Sequence, residues 1–177
     1  MGSRHVALIR GINVGRAKRV AMADLRALME SLGYGDVRTL LNSGNIVFTA
    51  GREEPDRIRA RIERAMVTTL GVSARVTVLT AADFSTVVRE NALREVADDP
   101  ARLLVAFLSD RSGRMRLRPL TRQDWKPELL ALGTHAAYLW CPAGMIESRL
   151  VEAVGRVLGD ATTTRNWTTV TKVHAVV

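Results

Sequence analysis

Cysteine occurs once in these 177 residues, at Cys141, so no internal disulfide can form, and the paired Cys and His spacings of a structural zinc site are absent. The three histidines, His5, His135 and His174, stand at no metal-ligand spacing to one another or to acids. Long apolar runs are missing too: no window approaches the roughly 18 consecutive apolar residues that a membrane helix requires. The opening MGSRHV lacks the apolar segment of a secretory signal. These absences predict a cytosolic chain with no membrane partner. The 47% hydrophobic content is enough to bury a core, in one compact domain or in two small ones sharing it.

What the chain has in excess is positive charge. A net charge of +8 and a pI near 10.9 favour polyanions through the long-range field. Of 26 cations, 23 are arginine, in a chain also rich in alanine, valine and glycine, which is the composition that a GC-rich genome produces. The excess is spread out: residues 1–97 carry 15 cations against 10 acids and residues 98–177 carry 11 against 8, so there is no basic tail.

Periodicity predicts a strand at residues 5–11, a helix over MADLRALMESLG, two β-rich runs around the turn Asn42-Ser43-Gly44-Asn45, a helix over EPDRIRARIERAMVTTLG and a strand at ARVTVLT. This β-α-β-β-α-β order is the split βαβ, ferredoxin-like arrangement. An extra helix, TAADFSTVVRENAL, follows, with Thr80 as its N-cap and Asp83 three residues on. EVADDPAR, residues 95–102, is the candidate boundary, dividing the chain into units 1–97 and 98–177. In the second unit RLLVAFLSD and HAAYLWC read as strands, LTRQDWKPELLALG and SRLVEAVGRVLG as helices. That order partly echoes the first half. The tail NWTTVTKVHAVV suits helix or strand, and the C-terminal segment is expected to pack back on the first unit. The expected class is α+β: a ferredoxin-like first half plus a smaller α/β second half.

Three segments carry a resemblance: LIRGINVGRAKRVAMADLRALMESLGYGDVRTLLNSGNIVF, WCPAGMIESRL and ATTTRNWTTVTKV. The first and last match the pattern RGINVGG, M-x-x-L-R, SGNVVF and T-x-RNW-x-T-V, so the chain resembles the bacterial domain of unknown function 1697 family over nearly its whole length. Arg16 stands where that family has a second consecutive glycine. The resemblance implies a fold but no activity, and the chemistry must come from the residues.

Arg10 to Arg19 is a glycine-bearing connection from a strand end to a helix start, where free backbone N–H groups and the helix dipole favour an anion. Arg10, Gly11, Asn13, Gly15 and Lys18 are its candidate binding residues, with Arg16 and Arg19 adding charge. It is not a Walker loop, since no Lys-Ser or Lys-Thr follows the glycines, nor a G-x-G-x-x-G dinucleotide loop. Ser43 and Asn45 form ordinary hairpin chemistry that becomes functional only in company. Arg165 and Asn166 supply that company, Arg165 by reaching a carboxylate or phosphate bidentately and Asn166 within a helix cap. The expectation is that these three segments meet in one cleft; the alternative is that the tail only locks the halves together.

Other signals are weaker. In RMRLRP, Arg114, Arg116 and Arg118 would lie along one face of an extended chain at roughly 6–7 Å intervals, suited to phosphates or to a protective edge. Arg57, Arg61 and Arg64 share a helix face with compensating acids nearby. An RNA-recognition sheet needs stacking aromatics, and the first and third strands offer only Phe48. Cys141 and His135, on one straight strand, would stand about 20 Å apart, too far for a catalytic pair. Asp98 and Asp99 read as linker residues, and Ser148 has no elbow motif. The sequence implies no cofactor and leaves any enzymatic role undecided. It favours binding of a small anionic ligand, with an enzyme acting on a phosphorylated or carboxylated small molecule, or nonspecific nucleic-acid binding, as alternatives.

Overall fold

The computed structural model describes residues 2–16 and 18–177. The chain divides into two compact units, one running up to Phe84 and taking in Ala175–Val177, the other Ser85–His174.

The first unit begins with β1 (Ser3–Ile9), α1 (Met22–Ser31), β2 (Gly35–Leu40), β3 (Asn45–Ala50), α2 (Pro55–Leu70) and β4 (Val76–Thr80). Its strands lie in the order β2-β3-β1-β4, every neighbour antiparallel, which is the split βαβ sheet that the sequence predicts. α2 forms where Pro55 presets the first turn, and it ends at Gly71, whose φ of 65° is left-handed. Ile58, Ile62 and Met66, at helical spacing, are wholly buried with Leu25 and Met29 of α1 against Ala7, Ile9, Ile46 and Phe48 of the sheet. At the C-terminus, within the same unit, Arg4 donates to the Val176 carbonyl at 3.3 Å.

α3 (Ala81–Arg89) follows directly, and the Thr80 hydroxyl accepts from the Asp83 N–H at 3.1 Å, as a capping residue does. The division between the units falls inside this helix, between Phe84 and Ser85, and not in the acidic Asp98-Asp99-Pro100 stretch. The reason lies in packing: Tyr138 donates to the Val87 carbonyl at 2.6 Å, and Glu90 accepts from the backbone and hydroxyl of Thr134, so the end of α3 belongs with the second sheet.

The second unit continues with β5 (Leu103–Leu108), α4 (Ser112–Leu117), a 3-10 turn (Arg118–Arg122), β6 (Leu129–Leu132), β7 (Ala136–Trp140), α5 (Arg149–Leu158), β8 (Thr162–Asn166) and α6 (Trp167–His174). Its strand order is β6-β7-β5-β8, again wholly antiparallel. With β5 in the place of β1, β6 of β2, β7 of β3 and β8 of β4, the partial echo seen in the sequence is a complete topological repeat. The second half is thus a second split βαβ sheet of α+β type. Leu150, Val154 and Leu158 of α5 pack with Leu104, Ala106, Leu108, Ala137 and Leu139.

Two segments differ from their sequence reading. RMRLRP is helical, because Asp110 accepts from Ser112 and from the Gly113 N–H, opening a turn whose Gly113, Leu117 and Leu120 are buried at helical spacing. In LTRQDWKPELLALG only the short 3-10 turn is helical, and Leu129–Leu132 is an edge strand paired with β7. The tail beyond Asn166, where β8 ends, forms the helix Trp167–His174.

Candidate functional site

β1 delivers the chain to the glycine loop through two backbone bonds, from the Ile9 N–H to the Gly44 carbonyl at 2.9 Å and from the Arg10 N–H to the Arg75 carbonyl at 2.8 Å. Beyond it, Gly11, Asn13 and Gly15 have φ of 69°, 56° and 54°, whereas Ile12 and Val14 between them stay on the ordinary negative side. Glycine takes this conformation freely, and asparagine is among the few side-chain residues that tolerate it. Such alternation is the backbone pattern that turns successive N–H groups toward one side. The N–H groups of Gly11, Ile12, Val14 and Gly15 meet no acceptor among the described residues.

Asn13 closes the loop. Its Nδ2 donates to the Val20 carbonyl and its Oδ1 accepts from the Val20 N–H, both at 2.8 Å, while its own N–H reaches the Lys18 carbonyl at 3.0 Å. Its side chain is therefore spent on the loop's shape. The Lys18 ammonium donates to the Ser73 carbonyl at 3.2 Å and Arg19 to the Gly15 carbonyl at 3.2 Å. Arg10, Gly11, Gly15, Arg16, Lys18 and Arg19 are exposed, and Val14 is 63% exposed. The start of α1 adds little: its cap residue, Ala21, offers no side-chain bond, and Asp24 puts a negative charge in the first turn.

The Ser-Gly-Asn hairpin lies against this loop. Gly44 has φ of 75°, and a Cβ there would fall 2.9 Å from both Ile12 Cδ1 and Ile9 Cβ. Asn45 is fully buried, its Nδ2 donating to the Leu40 carbonyl and to the Ser43 hydroxyl, each at 3.0 Å. Leu41, exposed at the tip, holds a φ of 57° that is rare for a bulky side chain. Loop and hairpin are thus joined within the first unit.

Arg165 and Asn166 belong to the second unit, at the end of β8, where they pair in register with Val105 and Leu104. Asn166 Oδ1 accepts from the Thr169 N–H at 2.9 Å and so caps α6. Arg165 donates to the Thr164 carbonyl at 2.9 Å, and burial pushes its guanidinium down to about 10, which leaves it a cation at neutral pH.

Cys141 is a fully buried free thiol, 3.4 Å from the Ser148 hydroxyl. Burial pushes it up to about 11, so it stays protonated at neutral pH and is no nucleophile. Ser148 caps α5 by accepting from the Val151 N–H, and Glu128 accepts from the Leu150 N–H. Among the described residues no three of His, Cys, Asp and Glu lie close enough to hold a metal ion, and no helix is long and apolar enough to cross a membrane.

The loop's spacing was in plain view in the sequence. G-I-N-V-G places a residue that tolerates positive φ at every second position, a period more informative than the glycine count.

Two split βαβ sheets, with a cation-bearing loop at the end of the first strand, define an α+β protein of repeated topology. Residues 2–138 match the family described as "Protein of unknown function (DUF1697)", and the chain belongs to it. It is similar in fold to the structure titled "The structure of conserved bacterial protein SP0830 from Streptococcus pneumoniae", with a TM-score of 0.80 at 24% identity, over 99% of this chain and 98% of that one. No curated protein matches the chain.

Proposed function

We propose that this protein binds a small anionic ligand, bearing phosphate or carboxylate, at the Gly11–Gly15 loop. The observation that carries the reading is the alternation of φ across Gly11, Ile12, Asn13, Val14 and Gly15, with the exposed residues Gly11, Val14 and Gly15 offering N–H groups that no described residue accepts. Backbone of this form is an anion cradle because partial positive charges are fixed in place before the ligand arrives. Arg10, Arg16, Lys18 and Arg19 lend full charges around it, and no acid stands between residues 10 and 19. The hairpin residues Ser43 and Asn45 act as its support: they fix the turn that carries Gly44 against Ile12.

Binding, and not catalysis, is the function proposed, since the loop's described residues provide amides and cations but no group that serves as a general base at neutral pH. A cytosolic setting suits a protein whose one thiol is buried and unpaired. The test is a thermal-shift screen of phosphate monoesters and carboxylates at fixed ionic strength, followed by titration calorimetry of the best compound. A ligand of the folded state raises the melting temperature with concentration. Lys18→Gln and Arg16→Gln, both at exposed positions, are expected to weaken binding severalfold while leaving the unliganded melting temperature unchanged. Equal shifts in wild type and both variants would remove the loop from the site.

A further inference from the structure

The two repeats treat the segment after their first strand alike in charge. Residues 10–19 hold four cations and residues 111–122 hold five, with no acid in either segment, and together these exceed the net charge of +8 of the whole chain. The first group belongs to the loop described above. The second, formed by α4 and the 3-10 turn, has no role so far.

Its geometry is fixed from beneath. Gly113 lies so close to β5 and α5 that a Cβ there would sit 3.2 Å from Leu108 Cδ2 and 3.5 Å from Leu158 Cδ2, and Leu117 and Leu120 are buried. Arg116 turns back, donating to the Val157 carbonyl at 3.3 Å and approaching Asp110 at 3.8 Å. The flanking acids are engaged, Asp110 with Ser112, Gly113 and Arg116, and Asp124 with the Lys126 N–H. Arg111, Arg114, Arg118 and Arg122 are exposed, and no carboxylate pairs with any of them among the described residues. At about 1.5 Å per residue in the helix and about 2.0 Å in the 3-10 turn, they span roughly 20 Å.

We infer that this arginine face is a docking surface for the phosphodiester backbone of duplex DNA. Charge complementarity carries the choice of partner. A protein partner requires an apolar centre with a charged rim, whereas here the centre is charged, and Met115, 75% exposed, and Pro119 are the exposed apolar side chains among the arginines. Unpaired single strands bind through aromatic stacking, and residues 111–122 contain no aromatic. What remains is a row of guanidiniums carried on a backbone fixed from beneath, which suits regularly spaced phosphates and reads no sequence.

The experiment is fluorescence anisotropy of the full chain with a labelled random-sequence duplex across a salt series. Four neutralised phosphates give a slope of log affinity against log salt of about −3 to −4. Arg111→Gln combined with Arg118→Gln is expected to make the slope shallower by about two and to weaken binding, with the melting temperature unchanged. Arg114→Gln with Arg122→Gln is expected to do the same, and serves if the first pair misfolds. Arg57→Gln with Arg64→Gln on α2 is the control for bulk charge and is expected to leave the slope unchanged. No binding, an equal loss in the α2 control, preference for single strands, or binding to polyglutamate that Met115→Gln abolishes would each overturn the proposal. Because the surface and the glycine loop use different residues, Lys18→Gln leaves this slope unchanged, and failure here is separable from failure there.

Discussion

Gly44 and Ile12 leave no room for a methyl group between them: a Cβ on Gly44 would stand 2.9 Å from Ile12 Cδ1. Ile12 is 1% exposed, although its neighbours Gly11 and Val14 face solvent. One side chain of the loop is thus nailed to the hairpin while the backbone around it stays open. A loop anchored this way holds its amides in place without a ligand, which is what preorganised anion binding needs.

Gly44→Ala should therefore destabilise the fold by about 2–4 kcal/mol, because a left-handed φ and an overpacked contact add up. Urea denaturation monitored by tryptophan fluorescence measures this. A change of only a few tenths of a kcal/mol would show that the contact yields easily.

Asn13 allows backbone and side-chain effects to be separated. Asn13→Gly keeps the positive φ but loses both 2.8 Å bonds to Val20, at a cost of about 1–2 kcal/mol. Asn13→Ala loses the bonds and also strains the backbone, so it should be the more damaging by about 1 kcal/mol. Both variants should weaken the anion ligand, and chemical denaturation beside calorimetry gives the order.

Much of the fold was legible because its signals were periodic and local. Ile58, Ile62 and Met66 mark α2, the Asn-Ser-Gly-Asn turn marks the hairpin, and Thr80 marks the start of α3. The second repeat was hidden where local patterns mislead. Alternating Arg114-Met115-Arg116-Leu117 mimics a strand, but the buried spacing of Gly113, Leu117 and Leu120 decides for helix. Leu129–Leu132 resembles a helix's apolar stretch, and only pairing with β7 makes it a strand. Asp98-Asp99-Pro100 is a break in periodicity, whereas the division of the units is set by the tertiary bonds of Tyr138 and Glu90. Among the site residues, sequence gave chemistry but not direction: Asn13 and Asn45 were readable as polar turn residues, yet the structure spends their amides on the turns themselves.

Cys141 should resist iodoacetamide at pH 7 to 8 in the folded protein and react on unfolding, since burial holds the thiol at about 11. The unfolded thiol ionises near its ordinary value of roughly 8.5, so the folded state favours the protonated form. This contribution to stability is full below the unfolded value and is lost as pH rises from there through about 11. Mass spectrometry of alkylation against urea reads the first effect, and melting temperature against pH the second.

Glu90 behaves in the opposite sense. The Thr134 N–H, donating at 2.7 Å, holds its carboxyl below the usual carboxylate range, with the Thr134 hydroxyl helping at 2.9 Å. Its contribution is present above the ordinary carboxylate value and fades as pH falls through the depressed one. Thr134→Ala should cost about 0.5–1 kcal/mol at neutral pH, a solvent-screened bond being worth no more. The cost should vanish once the carboxyl is protonated. A difference that persists into acid would assign it to packing.

Amide chemical shifts during a titration with inorganic phosphate at constant ionic strength test the loop most directly. Saturable shifts centred on the N–H groups of Gly11, Val14 and Gly15 are expected. Gly15→Val should abolish them, because it replaces a residue at φ of 54° with one that strongly avoids that conformation, in a place where its Cβ meets nothing within 4 Å. Shifts that never saturate, or that spread evenly over the arginine-bearing surface with these three amides unmoved, would contradict an anion cradle at this loop.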